Sequence, residues 1–477
     1  MTQDVVSWGR VARNVASLIL REFLTKGSYL VLGIAIARTM GREAFGDYAL
    51  SLLLSRSFFT VGDMGFGTWL VREVSQVREE AGRYFATVGV YRLLSGLAVL
   101  AGLSGFLFFS RYEVSLKHHI FFSAVAFLLL HLPSFIFSFF RAFEKMGSEF
   151  EVTLVKSALL LGGGLWAVSR KSLDLFYGFF ILSSAVAFLY ALWTYGRGIG
   201  WGGFRFAPVR FGGLLPIWLI QSVVMVYLYL DSVLLSFFRG IGEVGLYQAA
   251  YSFVDAVLVL SAVLTTALFP VFSRLAKLSL QKLLLFYEEL LQTLFFFFVP
   301  AGILALFGAK TLLNAFYGPS FQSALPALYM LLAGFFFFIF GGLNGHLLIA
   351  MGKEKAVLGI AFVCTFLNLG MNLWAIPRFG FLGASVTTVL SELCMFFLAM
   401  RWIVKAFGTA SFLEGGSLFW MLSAWTLFLF SLARVSFWIQ LPAGIGAYGL
   451  LALFFRRKLS KELRAVKALW QEVGVGS

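Results

Sequence analysis

Gly41-Arg42-Glu43-Ala44-Phe45-Gly46-Asp47-Tyr48 stands between two long apolar runs, one beginning near Val15 and the other reaching Gly67. A membrane core of about 30 Å takes roughly 20 helical residues to cross, and each flank is about that long. The octet, polar and carrying two glycines, reads as the turn of a helical hairpin that crosses a bilayer twice. The pattern Gly-x-x-x-x-Gly-x-Tyr recurs 199 positions later, as Gly240-Ile241-Gly242-Glu243-Val244-Gly245-Leu246-Tyr247, again between two apolar runs.

Composition agrees. Of 477 residues, 60% are hydrophobic and 13% charged, against nearer half and about a quarter in an ordinary soluble domain. A single soluble core stops growing beyond roughly 250–300 residues, so that much apolar surface cannot be hidden from water. A soluble enzyme, a disordered chain and a disulfide scaffold are excluded together. The 38 Lys and Arg against 23 Asp and Glu leave a net charge of +15. In a membrane chain this excess reports cytoplasmic loops beside anionic lipid, not nucleic-acid binding. Cys364 and Cys394 lie in apolar runs 30 residues apart and have no metal-ligand spacing. Residues 1–14 are largely polar, and the run from Val15 is too long for a signal-peptide core, so it reads as a retained span.

The membrane ruler gives fourteen spans, seven of them at 15–37, 48–67, 84–110, 118–140, 152–169, 175–195 and 213–237. The others fall at 245–270, 290–309, 324–350, 356–376, 382–400, 416–433 and 436–455. The loops are short and leave no room for a soluble catalytic domain. Alternate loops and the two tails carry 23 Lys and Arg, including Arg72, Arg141, Lys145, Lys353 and Lys355, against ten on the other side. That asymmetry puts both termini in the cytoplasm. An even number of spans requires the same.

Two further stretches recur. Met146-Gly147 returns as Met351-Gly352, and Leu165-Trp166-Ala167-Val168-Ser169-Arg170 as Leu373-Trp374-Ala375-Ile376-Pro377-Arg378. Internal repeats of this kind mark transporters. The expected architecture is an all-α polytopic membrane protein with about 14 transmembrane helices. Two six-helix lobes, 1–210 and 211–405, would be related by an axis along the membrane normal. Spans 13 and 14 occupy 406–455. The tail 456–477 places Leu459, Leu463, Val466 and Trp470 at helical spacing among six basic residues, as in an amphipathic helix on the cytoplasmic membrane face.

An ionisable residue inside a span is a functional candidate. Arg21, Lys26, Arg56, Arg92 and Lys156 are embedded cations, all in the first repeat. The embedded acids are Glu22 and Asp63 there, and Asp231, Asp255 and Glu392 in the second repeat. The first lobe is thus net positive and the second net negative. Glu22 and Lys26 are about one turn apart and can pair with each other. Arg92 and Lys156 lie near the cytoplasmic boundary and can snorkel outward. Asp63, in Gly62-Asp63-Met64-Gly65-Phe66-Gly67, can cap a turn. Arg56 lies near mid-span and is hardest to explain without a wet cavity. A cationic cavity suits an anionic substrate, since the arginine fork matches phosphate. Arg21, Lys26, Arg56 and Arg92 are the candidate substrate-binding residues. Asp231, Asp255 and Glu392 are candidates for binding a coupling proton or sodium ion, or for closing a gate against the first lobe. His346, two residues from Asn344, is a weaker proton-site candidate than a helix contact. No catalytic residue, metal site or cofactor is expected.

Several stretches together resemble a known family. Ala37-Arg38-Thr39-Met40-Gly41 with Phe45-Gly46-Asp47-Tyr48 resembles the first hairpin of the polysaccharide flippases of the multidrug/oligosaccharidyl-lipid/polysaccharide exporter superfamily. Asp63-Met64-Gly65-Phe66-Gly67 running into Leu70-Val71-Arg72-Glu73 is similar to their second-span exit. Asp231 followed by Val244-Gly245-Leu246-Tyr247 is similar to their seventh and eighth spans. Tyr317-Gly318-Pro319-Ser320-Phe321 with Ala324 adds to the likeness. So do Asn368 and Asn372 leading to Ile376-Pro377, Gly380 and Gly383-Ala384. The resemblance covers nearly the whole chain.

It implies a flippase or exporter, not an enzyme, in a bacterial cytoplasmic membrane. The implied cargo is an undecaprenyl-pyrophosphate-linked oligosaccharide moved to the outer leaflet by alternating access, with coupling to an ion gradient. The partners would be that anionic lipid-linked glycan, membrane lipids, a coupling H+ or Na+, and glycan polymerase machinery. Lipid II flippases carry cations in their first spans too, but their characteristic first-hairpin sequence is missing here. Multidrug cation antiporters want acids in a lobe that is positive here. A membrane polysaccharide polymerase or ligase fits neither the short loops nor the duplication.

Overall fold

The computed structural model describes residues 8–63, 65–206 and 214–407, together with residue 442. The expected spans at 416–433 and 436–455 and the amphipathic tail lie outside the described residues. Among these residues there are twelve α-helices and no strand, as an all-α polytopic membrane protein requires. By length and composition, five helices are apolar enough to cross a membrane, or six when the bent pair Pro319–Ala333 and Phe335–Ala350 counts as one span.

The first two expected spans are one element. Helix α1, Trp8–Gly62, folds back on itself at Gly41, where φ is 87° and ψ −174°. That region of backbone space is essentially glycine-only. The absent side chain of Gly33 leaves room for the rings of Phe45 and Tyr48. The Tyr48 hydroxyl donates to the Tyr29 carbonyl oxygen across the hairpin, 2.8 Å. The second arm stops at Gly62, five residues before the end expected from hydropathy. Gly65 is left-handed (φ 76°), and a separate helix α2, Phe66–Gln76, begins there. Its apolar face, Phe66, Trp69, Leu70 and Val74, packs in one buried cluster with Phe135, Phe139 and Phe140.

The chain continues through α3 (Ala81–Phe109), α4 (Val114–Ala142), α5 (Met146–Ser169), α6 (Leu173–Gly198), α7 (Leu214–Phe238), α8 (Ile241–Leu278) and α9 (Leu280–Tyr317). It then enters α10 (Leu325–Ala333), α11 (Phe335–Ala350) and α12 (Glu354–Phe407). Two compact units result, Met1–Gly245 and Leu246–Ser477. In the first, α1 packs against α4, α5 and α7, and α4 and α5 pack against α6. In the second, α10 and α11 meet at a 41° bend, and α12 folds at Gly380 (φ 59°, ψ −138°). Inside α12, Asn372 donates to Asn368, and Asn368 to Ser391 at 3.0 Å. These amides satisfy one another where no water is available.

Local geometry repeats along with sequence. Gly41 and Gly240 share a left-handed φ, 87° and 90°. Arg170 lies over the Trp166 ring at 5.6 Å, and Arg378 over Trp374 at 5.1 Å. The turn after α4 closes with Lys145 N donating to Phe140 O, and the turn after α11 with Lys353 N donating to Leu348 O. The left-handed residues in these turns are Glu144 (φ 58°) and Gly352 (φ 71°). Gly352 therefore corresponds to Glu144, and the Met-Gly match in the sequence is three residues out of register. This type of helix ending needs one left-handed residue, not a particular dipeptide.

Candidate functional site

Lys26 and Arg56 lie on the two arms of α1, each 15 residues from the hinge at Gly41. At about 1.5 Å of rise per residue, both stand roughly 22 Å from the hinge, and so at a similar depth. Both are exposed. The pairing of Lys26 with Glu22 that their spacing allows does not form, because Glu22 turns to Arg21 instead.

The other first-lobe cations are committed within the unit. The Arg21 Nη1 donates to Glu149 Oε2 at 2.8 Å. Arg141 closes on the same carboxylate from the other side, Nε to Oε1 at 2.8 Å and Nη2 to Oε2 at 3.0 Å. Glu149 is fully buried between them. Hydropathy misses it, because the apolar run of span 5 starts at 152 while α5 starts at Met146. Its position in the first turn of a helix, following the arginine at the end of α4, was the available signal.

Arg92 is 1% exposed and faces inward, so it does not snorkel. It bonds the Asp63 carboxylate and donates to Ser134 Oγ at 2.9 Å and to the His131 carbonyl oxygen at 3.4 Å. This clamp joins α3 and α4 to the break between α1 and α2. Lys156 likewise turns inward, donating to the Tyr29 hydroxyl at 3.0 Å with its ammonium 4.8 Å from that ring's centroid. Among the five embedded first-lobe cations, Lys26 and Arg56 are therefore the exposed ones. Arg21 and Arg92 hold the unit together.

The candidate coupling acids divide between the units. Asp231, on α7, is buried in the first, and the Ser232 backbone N–H donates to it at 2.7 Å. Asp255 and Glu392 belong to the second, the former exposed and the latter buried. Glu392 packs against Gly341, where a Cβ would come within 3.4 Å of its carboxylate. His346 Nδ1 lies 2.9 Å from the Gly342 carbonyl oxygen of its own helix turn, the helix contact expected for it.

A cavity of about 610 Å³ opens between the second arm of α1, α3 and α7, lined by residues such as Phe58, Val61, Val99, Phe106, Trp218 and Tyr229. Its wall is almost entirely apolar. Trp218 Nε1 donates to the Val61 carbonyl oxygen at 2.8 Å, capping the last turn of α1. Such a cleft suits a hydrocarbon chain and offers nothing to an anion.

Residues 11–276 match the family described as polysaccharide biosynthesis protein. The chain belongs to that family. It is similar to the probable flippase AglR of Haloferax volcanii, 26% identical over 89% of this chain and 91% of that protein. An uncharacterised membrane protein of Methanocaldococcus jannaschii is 27% identical over 179 residues, 37% of this chain and only 35% of its own length. The fold is similar to that of the lipid II flippase MurJ in its inward closed conformation, with a TM-score of 0.73 at 16% identity. That match covers 93% of this chain and all of the other. The flippase-like fold expected of this family is thus present.

Proposed function

We propose that the protein is a transporter, not an enzyme, that flips an anionic lipid-linked oligosaccharide across a cell membrane by alternating access. The observation that carries this reading is the pair Lys26 and Arg56, exposed at a similar depth on two antiparallel arms. Two cations without carboxylates to neutralise them are what a pyrophosphate headgroup calls for. Sharing the charge between two arms keeps the grip weak enough for release on the far side.

The resemblance makes undecaprenyl pyrophosphate the proposed carrier and a bacterial cytoplasmic membrane, with both termini inside, the proposed location. Likeness to proteins named as flippases supports the class of cargo. The lobes 1–210 and 211–405, coupling to H+ or Na+ through Asp231, Asp255 or Glu392, and contact with polymerase machinery belong to the same proposal.

The test is glycan export in cells lacking the protein. Loss of exported glycan, with intact lipid-linked precursor accumulating inside, separates transport from synthesis. Arg56→Ala should reproduce that accumulation. Export unchanged in the variant would remove Arg56 from the site.

A further inference from the structure

A second polar constellation lies at the end of the first unit that carries the Gly41 hinge and the connections at 110–113 and 170–172. His119, in the first turns of α4, is 5% exposed and has both ring nitrogens engaged. Nδ1 is 2.7 Å from Asp47 Oδ2, and Nε2 is 3.2 Å from Asp174 Oδ1. Asp47 is buried, and its other oxygen accepts from the hydroxyls of Ser51 and Tyr177, each at 3.3 Å. The Asp174 side chain, in the first turn of α6, is 78% exposed. The imidazole thus joins a carboxylate in water to a carboxylate in the interior.

The titratable groups facing the ring come from two helices among the described residues. They are Asp47 on α1, and Asp174 and Tyr177 on α6, with Tyr177 stacked on the ring at 5.0 Å. Tyr48 of α1 stands behind Tyr177. His118, the neighbour in sequence, is exposed and lies against Phe122.

A neutral imidazole has one N–H and one lone pair, so it can donate to only one carboxylate. Donation at both contacts requires the imidazolium, and a lone pair facing Asp174 requires a proton on that acid. Either way the site holds one more proton than a neutral ring between two carboxylates. Stability does not account for the outer contact, because an ion pair to so exposed a carboxylate contributes little.

We propose that His119 is a proton relay that connects water at this end of the unit to a proton-binding carboxylate at Asp47. A proton taken up by Asp174 passes from Oδ1 to Nε2, forming the imidazolium. The Nδ1 proton then passes to Asp47 Oδ2. Asp174 is again a carboxylate, the ring is neutral with its hydrogen on Nε2, and Asp47 is a carboxylic acid still bonded to Tyr177 and Ser51. One proton has entered, and only N–H and O–H bonds have changed. What that proton drives rests on the transport reading above. Its binding does not.

The experiment uses the full protein in proteoliposomes on a solid-supported membrane, with an acid jump and no glycan present. Wild type should give a transient current as protons enter. His119→Gln and Asp47→Asn should lose it, and Asp174→Asn should slow it severalfold. Unchanged currents in His119→Gln or Asp47→Asn would overturn the relay. Should those buried variants fail to fold, the exposed Asp174→Asn decides: a current as fast as wild type overturns the proposal. Because no substrate is needed, a failed relay leaves the flippase reading untouched. Conversely, a relay current in a protein that exports no glycan would refute only the flippase reading.

Discussion

Gly46 and Gly245 stand back to back. A Cβ on Gly46 would run into the Ile241 carbonyl oxygen, and a Cβ on Gly245 into that of Arg42. Arg42 and Ile241 are themselves equivalent positions of the repeated octet, as are the two glycines. The motif therefore packs against its own second copy, reciprocally, with backbone touching backbone. Gly46→Ala and Gly245→Ala should each destabilise the protein by about 1–3 kcal/mol, because neither obstacle is a side chain that can swing away. The double variant should fall short of the sum, since both changes open one interface. Thermal melting in detergent checks this, and full additivity would mean that the two contacts are independent.

Glu149 carries two arginines, and neither has another buried acid to turn to in the same contact. Glu149→Gln keeps the shape and removes the charge. Losing one member of a buried ionic cluster costs about 3–5 kcal/mol, so this variant should melt well below wild type. Arg141→Gln, which leaves the bond from Arg21 in place, should cost less. Equal melting of Glu149→Gln and wild type would contradict the cluster's role.

The two open cations should behave differently from the enclosed ones. Lys26→Gln and Arg56→Gln should reduce export while leaving the melting temperature unchanged, because their side chains support no packing. Arg56→Lys should keep part of the activity, having the charge without the bidentate fork. Arg92→Gln should instead lower the melting temperature, since Asp63 and Ser134 lose their partner. A ranking by export alone could not separate these cases, so both readouts are needed.

Gly41→Ala tests the hinge. No atom lies within 4 Å of the Cβ position, so crowding is not the issue. The cost is backbone strain at φ 87°, ψ −174°, on the order of 1–3 kcal/mol. Gly147→Ala is the control, helical and with equally open surroundings. It should be neutral or stabilising by about 0.5–1 kcal/mol.

Tyr112 provides a pH signature outside the spans. Burial pushes its phenol up to about 12, partly offset by the bond with Ser236 at 2.7 Å. The neutral phenol is the form the fold favours, so its contribution is fully present below the ordinary tyrosine value of about 10. It is lost as pH rises through the folded-state value, about 12. The stability difference between wild type and Tyr112→Phe should therefore be flat up to about pH 10 and shrink above it. A difference that changed below pH 9 would assign the effect to another group.

Hydropathy located the long apolar helices among the described residues, though not the short α2, and glycine spacing located the repeated octet, because membrane length and glycine chemistry both act along the chain. It set Arg56 apart as a charge without an evident local partner, but it offered Lys26 a partner in Glu22, which pairs with Arg21 instead. It could not tell which cations face inward, because the partners of Arg92, Lys156 and Arg21 are distant in the chain: Asp63, Tyr29 and Glu149 lie 29, 127 and 128 positions away. Asp47 stands in the octet that reads as a turn, and Glu149 falls between the apolar runs 118–140 and 152–169. Helices run through both places, and both acids are buried. The excess of positive charge in the first lobe shrinks accordingly.

One feature of α1 bears on how the protein meets its surroundings. A hairpin that reverses direction on a single residue presents no slack, extended backbone at that membrane face. Proteases need several residues of such backbone in their clefts, and antibodies favour the same kind of target. At Gly41 the molecule offers them only the blunt end of two helices, so this turn should resist digestion and be a poor place for an inserted epitope.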